Sequence, residues 1–187
     1  MPLLVLLNGG PASGKSTIAR RWIADRPLAL ALDIDVVRSM LGAWEDDAFE
    51  AGLAARRLAI EMTRRHLSKG HDVVIPQFLG ESGIAFIEQL QAVAAEADSA
   101  FVEVALSVAP EVADRRFSNR AARAKLAEAD TTTHGPLDAE TMLEVAEAHR
   151  RFIATREMAL IVETIDGDIE ESTRRVAEAI AKSTSNP

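Results

Sequence analysis

Residues 3–17 read Leu3-Leu4-Val5-Leu6-Leu7-Asn8-Gly9-Gly10-Pro11-Ala12-Ser13-Gly14-Lys15-Ser16-Thr17, an apolar run that breaks into glycine and then into a cationic, hydroxyl-bearing helix start. Gly9, Gly14, Lys15 and Ser16 fill the spacing G-x-x-x-x-G-K-[ST] of a phosphate-binding loop between a strand and a helix. Four fixed positions recur by chance on the order of once per hundred chains of this length, and the flanking strand and helix patterns lower that further. A turn that merely joined strand to helix would have no use for Lys followed by Ser.

The chemistry accounts for the spacing. Gly9 and Gly14 let the backbone turn where side chains would collide with a phosphate chain, so that the N–H groups of Gly10, Ala12, Ser13 and Gly14 can point at an anion. The helix opening near Lys15 adds the positive end of its dipole. Lys15 is expected to reach the β- and γ-phosphates, and the Ser16 hydroxyl to ligate the Mg²⁺ that bridges them. Thr17 follows in the first helical turn, where it packs or caps. The ligands expected of this stretch are ATP and Mg²⁺.

Composition narrows what surrounds the loop. The chain has 187 residues, 48% of them hydrophobic, which suits one domain, 1–187, with a sizeable core. Lysine and arginine number 21 against 29 acidic residues, giving a formal charge of −8. Such a balance disfavours a long nucleic acid held by counterion release, and aromatic residues at 4% provide no stacking platform for single strands. Cysteine is absent, which excludes disulfides, thiolate zinc sites and cysteine nucleophiles together. His66, His71, His134 and His149 are dispersed and read as surface or capping residues rather than ligands. No signal-peptide pattern opens the chain and Leu3 to Leu7 is too short to span a bilayer, so a soluble, cytoplasmic protein without a membrane partner is expected. Nothing in the sequence speaks to oligomeric state.

Strand and helix patterns alternate along the rest. Strands are expected at Leu3 to Asn8, Leu28 to Asp33, Asp72 to Pro76, Ala100 to Val108 and Ala159 to Ile165, as short apolar runs bounded by turns. Helices are expected at Lys15 to Asp25 (stopped by Pro27), Val36 to Leu41, Asp46 to Gly70, Ser82 to Ala97, Glu111 to about Ala129, Asp138 to about Arg156, and from Asp168 onward, with a fraying end from Lys182. In the third of these, Phe49, Leu53, Ile60 and Leu67 share one face. Asp138 looks like an N-cap with Leu137 and Met142 as its staple, and Asp168 with Glu171 like a capping box. Five strands alternating with helices specify a three-layer α/β/α fold around a five-stranded parallel sheet. Ligands of such sheets lie beyond the carboxyl ends of the strands, where Gly9 to Ser16, Asp33, Asp35 and Gln77 all fall.

A phosphate loop alone does not choose among kinases, switches and motors. The chain contains neither D-x-x-G nor N-K-x-D, and the third strand ends VVIPQF without an acidic residue. Its acidic pair instead follows the second strand, as Asp33-Ile34-Asp35-Val36-Val37-Arg38. With the loop, this segment makes the chain resemble the small P-loop kinases of the nucleoside-monophosphate-kinase-like group, which includes shikimate and gluconate kinases, chloramphenicol phosphotransferase, polynucleotide 5′-kinase and zeta-type toxins. The resemblance implies that Asp35 is the general base or hydroxyl-orienting carboxylate, Asp33 the partner of a Mg²⁺-bound water, and Arg38 a partner of the substrate or of Asp35. Physical chemistry points the same way: phosphoryl transfer is mostly positioning and charge stabilisation, and the acceptor hydroxyl needs a carboxylate to aim it and take its proton. An extended segment would set Asp33 and Asp35 on one side; the plainer alternative makes them an N-cap and a turn residue.

Arg116, Arg120 and Arg123 follow at helical spacings of four and three. They resemble the short helical Arg-rich lid of these kinases, at about residues 115–137, which implies that Arg120 and Arg123 neutralise the transferring phosphoryl group while Arg115 or Arg116 lies against adenine. The alternative is a solvated face paired with Asp114, Glu111 and Glu128. The acceptor pocket is expected between residues 36–67 and the end of the third strand, with Trp44, Phe49, Gln77 and Phe78 as candidate lining, although Trp44 and Phe49 fit a core equally well. Arg38, Arg56 and Arg57 are available to an anionic acceptor. The resemblance implies an ATP- and Mg²⁺-dependent phosphotransferase acting on a hydroxyl of a small metabolite or antibiotic. A nucleoside, nucleotide or polynucleotide 5′-hydroxyl kinase, and a non-catalytic ATP-binding regulatory or resistance module, remain open alternatives.

Overall fold

The structure is a computed structural model that describes residues 1–109, 112, 113, 115, 116, 118 and 139–185. Five strands form one parallel sheet: β1 (Leu3–Gly9), β2 (Leu30–Ala31), β3 (Val73–Gln77), β4 (Ala100–Ser107) and β5 (Leu160–Glu163), in the order β2-β3-β1-β4-β5. The helices are α1 (Lys15–Trp22), α2 (Ile34–Ser39), α3 (Ala48–Leu67), α4 (Ile84–Glu96), α5 (Ala139–Ala154) and α6 (Ile169–Thr184). A short 3₁₀ turn, Glu81–Gly83, precedes α4.

Side chains alternate across a strand, so β1 feeds two cores at once. Leu4 and Leu6 join Ile60 and Leu67 of α3, Ile87 and Leu90 of α4, and Phe152 and Ile153 of α5 on one face. Val5 and Leu7 join Ile18 and Trp22 of α1 and Val176 and Ile180 of α6 on the other. The result is the three-layer α/β/α arrangement expected from the alternation, with β1 at its centre and Leu4 to Leu7 wholly inaccessible.

Several boundaries move for local reasons. The second strand shrinks from the expected Leu28 to Asp33 to two residues, because an edge strand has a single partner and Leu28 is already in a left-handed turn (φ +60°), 70% exposed. Helix α1 ends at Trp22 rather than Asp25, and the chain continues through turns to Arg26. Helix α2 starts two residues earlier than expected, at Ile34, because Asp33 caps it. In α3 the face toward the core is made by Ala51, Ala55, Ala59, Ile60, Thr63 and Leu67. Phe49 is 73% exposed, which corrects its placement on that face: two residues before the buried Ala51, it lies on the opposite side of α3. The capping of α6 by Asp168 holds, its carboxylate accepting from Glu171 N at 2.9 Å, but Glu171 turns to Arg174 and Arg175 instead of closing the box. That helix also runs to Thr184, past the expected fraying point. Val112, Ala113, Arg115, Arg116 and Ser118 are helical; the remainder of the expected lid to residue 138, with Asp138 and its staple, lies outside the described residues.

Because Leu6 is fully enclosed on the central strand, Leu6→Ala is expected to cost about 2–5 kcal/mol. Thermal unfolding should register this as a fall in Tm of about 10 °C.

Candidate functional site

The carboxyl end of β1 leads straight into the loop. Asn8 is fully buried and Gly9 is the last residue of the strand. A Cβ on Gly9 would lie 2.5 Å from Ser13 Oγ and 3.1 Å from Leu106 Cβ, so only glycine lets the two walls of the loop close. Ala12 and Gly14 take positive φ, +58° and +90°, and Ser13 N donates to Gly10 O at 3.3 Å. Alternating left- and right-handed backbone of this kind turns successive N–H groups toward one concavity. Ser13 Oγ is buried with no hydrogen-bond partner among the described residues, and Lys15 Nζ folds back to Gly10 O at 3.2 Å. Pocket, donors and lysine together form an anion cradle at the N-terminus of α1.

Ser16 Oγ donates to Asp33 Oδ2 at 3.0 Å, while Asp33 Oδ1 accepts from Asp35 N at 3.1 Å. Asp33 therefore takes the capping role with one oxygen and meets the loop hydroxyl with the other. Asp35 lies in the first turn of α2 rather than on an extended segment, which corrects the alternation expected for the pair. A hydroxyl and a carboxylate side by side are hard oxygen donors that suit Mg²⁺, which commonly takes one or two protein oxygens and completes its shell with water and phosphate. Among the described residues no group of three or more His, Asp or Glu could hold a metal by itself.

One wall of the loop opens on a cavity of about 390 Å³, lined by Ala12 to Thr17 and, opposite, by Arg116, Thr164, Ile165 and Gly167 to Ile169. Arg116 donates from Nη2 to Ile165 O at 2.8 Å and from Nε to Asp166 at 3.1 Å, with Arg115 paired to the same carboxylate. The expected partners Asp114, Glu111 and Glu128 are outside the described residues, and so are Arg120 and Arg123. Arg116 thus shares one cavity with the loop. Among the described residues no helix is long and apolar enough to cross a membrane.

On the other side of the loop, α2 and α3 gather the residues expected to meet an acceptor. Arg38 pairs with Asp35 at 3.3 Å and lies over the Trp44 ring at 4.8 Å. Burial pulls the Arg56 guanidinium below its ordinary pKa, Asp35 partly restores it, and the group sits 5.6 Å from the Phe86 ring. Gln77 closes β3 beside Asn8, half-buried, with Phe78 next to it. Arg57 is exposed, as is Phe49.

His149 overturns its expected place at the surface. It is 7% exposed on α5, with Nε2 3.0 Å from Asn8 Oδ1 and its ring 5.3 Å from that of Phe78. Burial, and then the charge of Lys15, lower its pKa to about 4. A helix-face periodicity does not distinguish a buried histidine from an exposed one, and the nearest sequence signal is its position three residues before Phe152 on the buried face of α5.

The AAA domain family model matches residues 4–148. The fold is similar to a gluconokinase from Sinorhizobium meliloti (15% identity, 99% of this chain and 95% of that one, TM-score 0.60). It is also similar to a shikimate kinase from Bacteroides thetaiotaomicron (20%, 96% and 98%, TM-score 0.60). One chain of an RNA repair complex shares it at 16% identity over 84% of this chain and 47% of that chain, TM-score 0.63. No curated protein matches the sequence significantly.

Two outcomes follow. Gly9→Ala should lose about 1–3 kcal/mol of stability and weaken ATP binding in a calorimeter, whereas Gly10→Ala, whose Cβ meets nothing within 4 Å, should leave stability unchanged. For His149, the unfolded chain takes up a proton near pH 6.5 that the folded protein refuses until about pH 4. Its contribution is therefore intact above pH 6.5 and is lost on acidification through that window, by up to about 3 kcal/mol. Urea midpoints at pH 7 and pH 5 should fall more in the wild type than in His149→Gln.

Proposed function

Since the chain belongs to the AAA domain family and carries a P-loop kinase-like fold, we propose that it is an ATP- and Mg²⁺-dependent kinase that phosphorylates a hydroxyl of a small molecule. The observation that carries this is the position of Asp35, in the first turn of α2 and two residues after the Asp33 that meets Ser16 of the phosphate loop. A binding module would need the loop and the Ser16–Asp33 pair, but has no task for a second carboxylate held by Arg38.

The roles follow from charge and reach. The loop amides and Lys15 hold the β- and γ-phosphates; Ser16 and Asp33 would hold Mg²⁺, which neutralises charge between them. Asp35 orients the acceptor hydroxyl and takes its proton as the acceptor oxygen bonds to the γ-phosphorus and the bond to the β–γ bridging oxygen breaks, releasing ADP. Arg116 lines the nucleotide side. Arg120 and Arg123 are proposed to meet the transferring phosphoryl group. On the acceptor side, Arg38 and the desolvated Arg56 flank Asp35, a balance that favours an acceptor carrying an anionic group. Trp44 and Gln77 complete the proposed acceptor contacts.

Mass spectrometry of a mixed panel of hydroxyl compounds, anionic and neutral metabolites, antibiotics, nucleosides and 5′-hydroxyl oligonucleotides, incubated with ATP and Mg²⁺, tests the reading. One compound should gain a phosphate with the wild type and not with Lys15→Ala. Asp35→Asn should abolish that gain while the Kd for ATP stays nearly unchanged, and undiminished transfer by this variant would remove Asp35 from the chemistry.

A further inference from the structure

The register of β1 and β3 ends at Asn8 opposite Gln77, but the connection between them does not. Asn8 Nδ2 donates to Leu79 O at 3.3 Å and Asn8 Oδ1 accepts from Leu79 N at 3.0 Å. The side-chain amide thus stands in for another peptide group and prolongs the pairing past the end of both strands. Its orientation is fixed, because a backbone N–H can only donate and so must face Oδ1. The same oxygen lies 3.0 Å from His149 Nε2, which must therefore carry the proton and donate. With the ring neutral, Nδ1 is left without a proton.

Both ends of this connection are pinned. Asn8 is followed by Gly9, whose Cα is closed in by Ser13 and Leu106, so a shift of Asn8 passes directly into the phosphate loop. Leu79 is 1% exposed, and a Cβ on Gly83 would come within 2.9 Å of it, so the turn that follows Gln77 and Phe78 is held from behind. His149 reaches the junction from α5, with Phe78 against its ring and the Lys15 charge near enough to bear on its protonation. Donor side and acceptor side meet at one buried amide.

We propose that His149 is a positioning residue: by donating Nε2–H to Asn8 Oδ1 it locks the Asn8 amide onto Leu79 and fixes the phosphate loop relative to the Gln77–Phe78 segment. The proposal rests on the kinase reading for its consequence, since the quantity set by this junction is the separation of the γ-phosphate from the acceptor. A misplacement of about 1 Å between reacting groups costs about a hundredfold in rate. Such a loss falls on transfer to the acceptor, and not on ATP binding or on transfer to water, which needs no positioned acceptor.

His149→Phe keeps the ring and its contact with Phe78 but removes the donor, and His149→Gln restores an N–H at a similar reach. Three readouts separate the possibilities: hydrogen exchange of the Leu79 amide, the Kd for ATP, and the ratio of acceptor phosphorylation to acceptor-independent ATP hydrolysis. With His149→Phe the Leu79 amide should exchange faster, the Kd for ATP should stay within about threefold, and the transfer-to-hydrolysis ratio should fall by about ten- to a hundredfold, with recovery in His149→Gln. Unchanged Leu79 exchange, or an unchanged ratio, overturns the proposal. So does a loss of ATP binding and transfer in step that His149→Gln does not repair, which is the mark of a merely structural side chain. If the wild type phosphorylates no compound, the kinase reading fails by itself, and the Leu79 exchange still decides whether His149 holds the junction.

Discussion

A strand covered on both faces has nowhere to display chemistry except its end. In this protein β1 spends Leu4 to Leu7 alternately on two cores, and the residues that follow, Asn8 and Gly9, arrive at the rim of the sheet with their positions already fixed. Everything at the site depends on that delivery. The phosphate loop begins where burial stops, α1 leaves from the far side of the loop, and the ends of β3 and β5 bring Gln77 and Thr164 to the same rim. The close approach of Gly9 to Ser13 shows how little slack the arrangement has.

Each side of the loop places two guanidinium groups in the field of one carboxylate. Toward β5 and α6, Arg115 and Arg116 share Asp166, and Arg116 also donates to Ile165 O while its body forms a wall. Toward α2 and α3, Arg38 and Arg56 surround one carboxylate, Asp35, and Arg56 is held where burial disfavours its charge.

The fold and the glycine-built loop after β1 were legible because their determinants are contiguous. A buried parallel strand writes itself as an unbroken apolar run, and a phosphate cradle needs glycine, lysine and serine within a few residues of one another. Strand β2 was overextended because a sequence shows hydrophobicity and not the number of neighbours; Leu28 is apolar but turns outward at the edge. Phe49 misled for a related reason: the buried face of α3 begins with the small side chains of Ala51 and Ala55, and a spacing drawn through the large apolar residues starts on the wrong side. Asp33 was legible as an N-cap from its residue type, and its second oxygen meets Ser16, a contact across 17 residues that no local pattern announces. His149 was missed altogether. Its partner Asn8 is 141 residues away, and no local pattern carries a contact of that span.

Asp33 has a consequence beyond its two bonds. With one oxygen it terminates the backbone of α2, the helix that bears Asp35 and Arg38, and with the other it holds the hydroxyl of Ser16. The two half-sites share a single carboxylate, so neither can be rearranged without the other. Any ligand that competes for Ser16 alters the load on the cap of α2, and any ligand that grips α2 alters how readily Ser16 is released. By thermodynamic reciprocity the two effects are equal, so occupancy of one half-site and affinity at the other form a single coupled equilibrium.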